Sequence, residues 1–202
     1  LQRIVTARPS ATAGRNVLTY TREMSGLPSS DAPDLIAKSY VITAEVEIPQ
    51  GSAEGMLATL GGQFGGFGLY LLKGKPVFTY NLLNLERFRW EGQDALTPGR
   101  HTIVFDFTYD GPGIGKGGSG VLKVDDKEVA NKKVPHTIPA LMTIDETFDV
   151  GMDTRTSVDD KDYQVPFRFT GKLNKLTFKL GPTQLTNDDR QIIQHALAKG
   201  KD

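Results

Sequence analysis

Period-two alternation of apolar and polar residues is the feature that most constrains this chain. Tyr40, Ile42, Ala44, Val46 and Ile48 alternate with Thr43, Glu45 and Glu47. Ile103, Phe105, Phe107 and Tyr109 alternate with Thr102, Val104, Asp106 and Thr108, and Leu176, Phe178 and Leu180 share one face further on. Successive side chains of a strand point to opposite faces, so such runs are half-buried strands with one wet face. A helix would smear the same pattern around its circumference.

Further short strands are predicted at Val17–Tyr20, Met56–Leu60, Phe67–Leu72, Pro76–Asn81, Leu85–Trp90, Val121–Val124, Glu128–Val134, Ala140–Ile144 and Phe167–Leu180. The turns between them draw on 22 Gly and 11 Pro. A dozen such strands argue for an all-β antiparallel sandwich, a jelly roll of the concanavalin A or laminin-G-like kind. Only the tail reads as helix: Thr186 caps it, Asp188 and Asp189 lie in its first turn, Ile192, Ile193, Ala196 and Leu197 form a stripe, and Gly200 ends it. The expected division is an irregular lead-in at 1–38 packing on the sandwich, the sandwich at 39–182, and a C-terminal helix and tail at 183–202.

The 24 basic and 24 acidic residues cancel, which removes long-range attraction for nucleic acid. With no cysteine, disulfides and thiolate metal sites are impossible. No apolar run is long enough to cross a bilayer. The chain opens on Leu1 without a signal-peptide pattern, so it reads as a piece of a longer protein.

Several motifs invite a site. Gly113, Gly115 and Gly118 fit G-x-G-x-x-G, yet a strand follows where a phosphate site needs a helix N-terminus, so a flexible hairpin loop is expected. Gly117–Gly120 is no nucleophile elbow, and His101, His136 and His195 stand apart. The acidic run Asp145, Glu146, Asp149, Asp153, Asp159, Asp160 and Asp162 has the hard oxygen ligands that Ca²⁺ takes, though without EF-hand spacing; Asp145, Glu146, Asp149 and Asp153 are the calcium candidates. It also lacks the E-x-D-x-x-E alternation of jelly-roll glucanases. Phe88 and Trp90, with Tyr80, Phe64 and Phe67, offer a sugar-stacking platform if they face outward; core packing is the competing reading.

The order FDVGMDTRTSVDDKDYQVPFRFTGKLNKLTFKL, from Phe148 to Leu180, resembles the C-terminal region of large bacterial arylsulfatases. Ile42–Gly55, Gly61–Phe88 and Pro98–Val129 resemble the same family in the same order, so the likeness spans roughly Arg8 to Leu180. Phe67 stands where Trp is frequent in that family and Arg155 where Gly is common. The resemblance implies an accessory domain behind a catalytic domain that uses formylglycine and Ca²⁺. It also implies that this upstream sulfatase domain is the chain's partner, and a periplasmic or exported setting. The C/S-x-P-x-R motif that carries formylglycine is absent, so no catalytic residue is expected here. A carbohydrate-binding module and a protein-docking module are the alternatives.

Overall fold

The alternating runs become paired strands whose apolar rows meet. In the computed structural model, which describes residues 10–143 and 146–199, the strands are β1 (Val17–Tyr20), β2 (Met24–Leu27), β3 (Tyr40–Ile48), β4 (Gly55–Gly62), β5 (Gly65–Leu72), β6 (Lys75–Leu82), β7 (Glu86–Glu91), β8 (Gly99–Tyr109), β9 (Gly118–Val124), β10 (Lys127–Val134), β11 (Phe148–Val150) and β12 (Lys172–Leu180). One helix, α1 (Asn187–Lys199), follows. Two six-stranded sheets result, in the orders β1-β12-β3-β8-β9-β10 and β2-β11-β4-β5-β6-β7. Every pairing between these strands is antiparallel.

In the first sheet Ile42 sits between Phe105 and Phe178, and Ala44 between Ile103 and Leu176. That row packs on the second sheet, where Phe78 stacks on Phe105 with ring centroids 3.5 Å apart. Trp90 meets Phe105 edge-on at 5.1 Å, and its indole N–H donates to the Gly120 carbonyl at 2.8 Å. Gly120 is required there: a Cβ on it would lie 2.7 Å from both Phe105 Cζ and Trp90 Cζ2.

The second sheet is buried on both faces. Leu57, Leu69 and Phe78 point into the sandwich, while Met56, Tyr70 and Val77 on the other face form a separate cluster with Tyr163, packed by Val165 and Phe167. The cover is the loop between β11 and β12. Tyr163 stacks on Phe167 at 4.5 Å and tilts against Tyr70 at 5.4 Å. The loop leaves and returns at one place, since Asp153 and Phe167 exchange backbone hydrogen bonds of 3.2 and 3.0 Å and Met56 N–H donates to the Phe167 carbonyl at 3.2 Å. Gly55 lets it approach: its φ is +124°, and a Cβ there would be 2.2 Å from the Arg168 carbonyl oxygen.

Some expectations change. The lead-in at 1–38 is not wholly irregular, because β1 and β2 lie in it and add the outermost strand to each sheet. No strand forms over residues 140–143, and Ile144 lies outside the described residues. Residues 167–171 precede the strand expected there, which begins at Lys172. The helix forms as expected at its start, where Asp189 N–H donates to Thr186 Oγ1 (3.1 Å) and Thr186 N–H donates to Asp189 Oδ2 (2.7 Å), a reciprocal cap. Ile192 of the expected apolar stripe is exposed, and Gly200 lies outside the described residues.

The contact between the sheets gives a direct stability test. Phe105→Ala should lower the free energy of unfolding by about 3–5 kcal/mol in a urea titration, the range for deleting a buried phenylalanine. A loss below about 1 kcal/mol would contradict the packing of Phe105 between Phe78 and Trp90.

Candidate binding groove

Several carboxylates of the acidic run act as structural anchors. Asp149, fully buried, accepts from the Gly26 amide (2.7 Å), Thr147 Oγ1 (3.1 Å) and Thr154 Oγ1 (2.5 Å), so it ties β2, β11 and the covering loop together. Asp153, also buried, accepts from the Tyr163 hydroxyl at 2.6 Å. Glu146 Oε1 accepts from Thr156 Oγ1 at 2.6 Å. Asp162 accepts from the Tyr70 hydroxyl and from Arg89 Nη1. A calcium ion needs several carboxylate oxygens turned toward one point. Here Glu146, Asp149 and Asp153 are turned toward protein donors, and among the described residues no three acidic or histidine groups are placed to hold a metal. Hydrogen bonds within the chain are what these three carboxylates show where calcium ligation was expected. The fourth candidate, Asp145, lies outside the described residues.

The aromatic platform fails for a similar reason. Phe88 and Trp90 face the sandwich interior with Tyr80 and Phe67, and Trp90 is only 2% exposed, so neither Phe88 nor Trp90 reaches a sugar. Of the five aromatic residues, Phe64 alone is open, at 72% exposure on the turn between β4 and β5. The loop from Gly111 to Gly117 is tied rather than free. Tyr109 Oη donates to the Gly113 carbonyl (2.7 Å) and accepts from the Lys116 amide (2.9 Å), and Gly113 N–H donates to the Gln184 carbonyl (2.9 Å). His101 Nδ1 meets Asp125 Oδ2 at 2.7 Å while its Nε2 meets the Thr97 carbonyl at 2.8 Å, beside a hollow of about 490 Å³. His136 and His195 are exposed and separate.

A larger hollow opens at one end of the sandwich. This groove of about 760 Å³ lies between the lead-in, the segment at 140–143 and the start of α1. Its walls are held by the chain's own bonds: Ser10 Oγ donates to the Ser30 carbonyl (2.6 Å), Thr12 Oγ1 to the Ala32 carbonyl (3.1 Å), and Leu180 N–H to the Asn16 carbonyl (2.8 Å). Buried Leu35 and Leu60 line it beside the exposed Leu141, with serine and threonine hydroxyls between. Among the described residues three cations line it, Arg15, Lys38 and Arg190, against one acid, Asp34. Lys38 Nζ already pairs with Asp34 at 2.5 Å. Among the described residues neither Arg15 nor Arg190 makes an ion pair. The hairpin bearing Phe64 abuts the wall, since a Cβ on Gly65 would lie 3.3 Å from the carbonyl oxygen of Met142, a lining residue. An apolar base, hydroxyls and cations together can hold a polar ligand that also has apolar faces. No sequence motif points to this groove, because its residues come from distant stretches of the chain and share no spacing.

The Asp153 carboxyl yields a pH test. Burial pushes its pKa from the usual 3.8 to about 6; the Tyr163 hydroxyl and Arg155 amide pull it down, and the negative charges of Asp149 and Glu146 add to the rise. The folded protein therefore binds this proton more tightly than the unfolded chain does. The stabilisation is present below pH 4 and lost as pH rises through about 6. In Asp153→Asn that contribution is absent. The stability of the wild type relative to the variant should fall by on the order of 3 kcal/mol between pH 4 and 7. Parallel stability–pH curves for the two proteins would refute the burial of a protonatable Asp153.

No protein-family model matches this chain, and no curated protein matches it. Solved structures do match. The CBM40 module of the Ruminococcus gnavus IT-sialidase, in its structure bound to alpha2,6 sialyllactose, aligns at a TM-score of 0.53 and 12% identity, over 87% of this chain and 97% of that one. The same module bound to alpha2,3 sialyllactose aligns at 0.50 and 12% identity, over 76% and 80%. At that identity the likeness is one of fold, a jelly-roll sandwich of two antiparallel sheets, and neither match is a sulfatase.

Proposed function

We propose that this chain is a non-catalytic carbohydrate-binding module that takes a glycan into the end groove. The observation that supports this most is the match to a carbohydrate-binding module over nearly the whole of that module's length. The groove fits the role. Its volume lies within the range of small-ligand sites, and sugars offer both hydroxyls for hydrogen bonds and C–H faces for apolar walls. Phe64 does not line the groove itself, but it is exposed on the hairpin that abuts the wall and is free to stack on a ring face.

We also propose, on the order of residues from Phe148 to Leu180, that the parent protein is an arylsulfatase with this domain as an accessory. The two readings are compatible, because an accessory domain that holds glycan keeps substrate near a catalytic domain. An upstream coding sequence with C/S-x-P-x-R would support the parent assignment, and its absence there would end it.

Calorimetric titration against a panel of neutral and acidic oligosaccharides tests the binding role. At least one class should bind, and Phe64→Ala should weaken it by about tenfold, the effect of losing one aromatic contact. Absence of heat and of gel retardation with every glycan would overturn the reading. Turnover of nitrophenyl sulfate by the chain alone would overturn its non-catalytic part.

A further inference from the structure

We infer that the end groove is selective for anionic saccharides, with Arg15 and Arg190 as the groups that recognise the anion. The inference rests on the glycan-binding reading and adds the chemical class of the ligand. The charge in the groove is uneven although the chain as a whole is neutral. Among the described residues three cations line it against a single acid, and that acid is already taken by Lys38. What remains is two guanidinium groups, both on exposed residues that line one hollow.

Their place in one hollow is what distinguishes them: among the described residues Lys132, Lys133 and Lys179 also make no ion pair, whereas Lys175 pairs with Glu45 at 3.0 Å, Lys123 with Asp106 at 3.7 Å and Arg168 with Glu23 at 2.8 Å. A guanidinium offers a planar fork of donors that fits a carboxylate or a sulfate through two parallel hydrogen bonds. Two such forks lining a cavity that also holds hydroxyls and leucine side chains suit a sugar bearing one acidic group. Arg190 is placed by the reciprocal Thr186–Asp189 cap, which fixes the first turn of α1 beside the groove. Lys38 serves as scaffold, since its ammonium holds both the side chain and the backbone carbonyl of Asp34.

Two matched pairs of probes test this by calorimetry and affinity electrophoresis: lactose against sialyllactose for a carboxylate, and dextran against dextran sulfate for a sulfate ester. At least one anionic probe should bind about tenfold or more tightly than its neutral partner, since a hydrogen bond to a charged group is worth that much. The gap should shrink as salt is raised toward 0.5 M. In Arg15→Gln/Arg190→Gln it should close, with the circular-dichroism spectrum unchanged because both residues are exposed. In Lys175→Gln, on the outer face of the first sheet, it should persist. Equal binding of the charged and neutral members, or a gap that survives in the double variant, overturns the anion inference while leaving the glycan reading intact. No binding of these four probes or of any glycan in the wider panel overturns both.

Discussion

Keeping the second sheet dry on both sides is the constraint from which the rest of this structure follows. Its inner face meets the first sheet through Phe67, Phe78 and Trp90, and its outer face carries Met56, Tyr70 and Val77. Those outer side chains would stand in water without Tyr163, Val165 and Phe167 above them, and burying each is worth on the order of 1.5–3 kcal/mol. The cover must also satisfy the polar groups it seals in. The Val158 carbonyl of the cover accepts from Arg87 Nε at 3.1 Å and from Asn81 Nδ2 at 3.4 Å, and Asn81 Nδ2 also donates to the Gly62 and Gln63 carbonyls of the β4 hairpin at 2.8 and 2.9 Å. Among the described residues no buried side-chain nitrogen or oxygen is left without a partner. A loop rich in acids can lie on a hydrophobic sheet because each buried acid meets a donor there.

This two-sided burial explains what the sequence does and does not disclose. Strands β3, β8 and β12 have a wet face, so their alternation is plain, and the sandwich could be read from them. Strands β4 to β6 have none. Gly61, Gly66 and Gly68 stand among Met56, Leu60 and Tyr70 in runs without alternation, which says strand but not which side is covered. Strands β2 and β11 are too short to carry a period. The carboxylates are ambiguous in sequence for a physical reason: charge is visible there, but the Thr147, Thr154 and Tyr163 hydroxyls that answer it become neighbours only in the folded chain. Phe88 and Trp90 show the converse, since an aromatic pair on one strand face fits a platform or a core equally well until the partner sheet is known.

The same economy of surface directs attention to the end of the sandwich. The outer face of the second sheet is occupied by the chain's own loop. The outer face of the first carries cross-strand ion pairs such as Lys175–Glu45, which are exposed and contribute little to stability. Arg15 and Arg190 lie instead at the end groove. Their groove is assembled from the lead-in, the 140–143 segment and the start of α1, parts joined by β1 and by the backbone bonds of Leu180 and Gln184. What looked like an irregular lead-in is thus both a strand donor and a wall of the site.

The order of strands leaves β7 and β10 at the open margin of their sheets, close to one another. Unpaired backbone groups on such a margin invite strand addition by another molecule. Lys127, Glu128, Lys132 and Lys133 crowd β10, and Glu86, Arg87, Arg89 and Glu91 crowd β7. An incoming strand would have to desolvate these charges to form its ladder. That margin therefore guards itself against edge-to-edge aggregation.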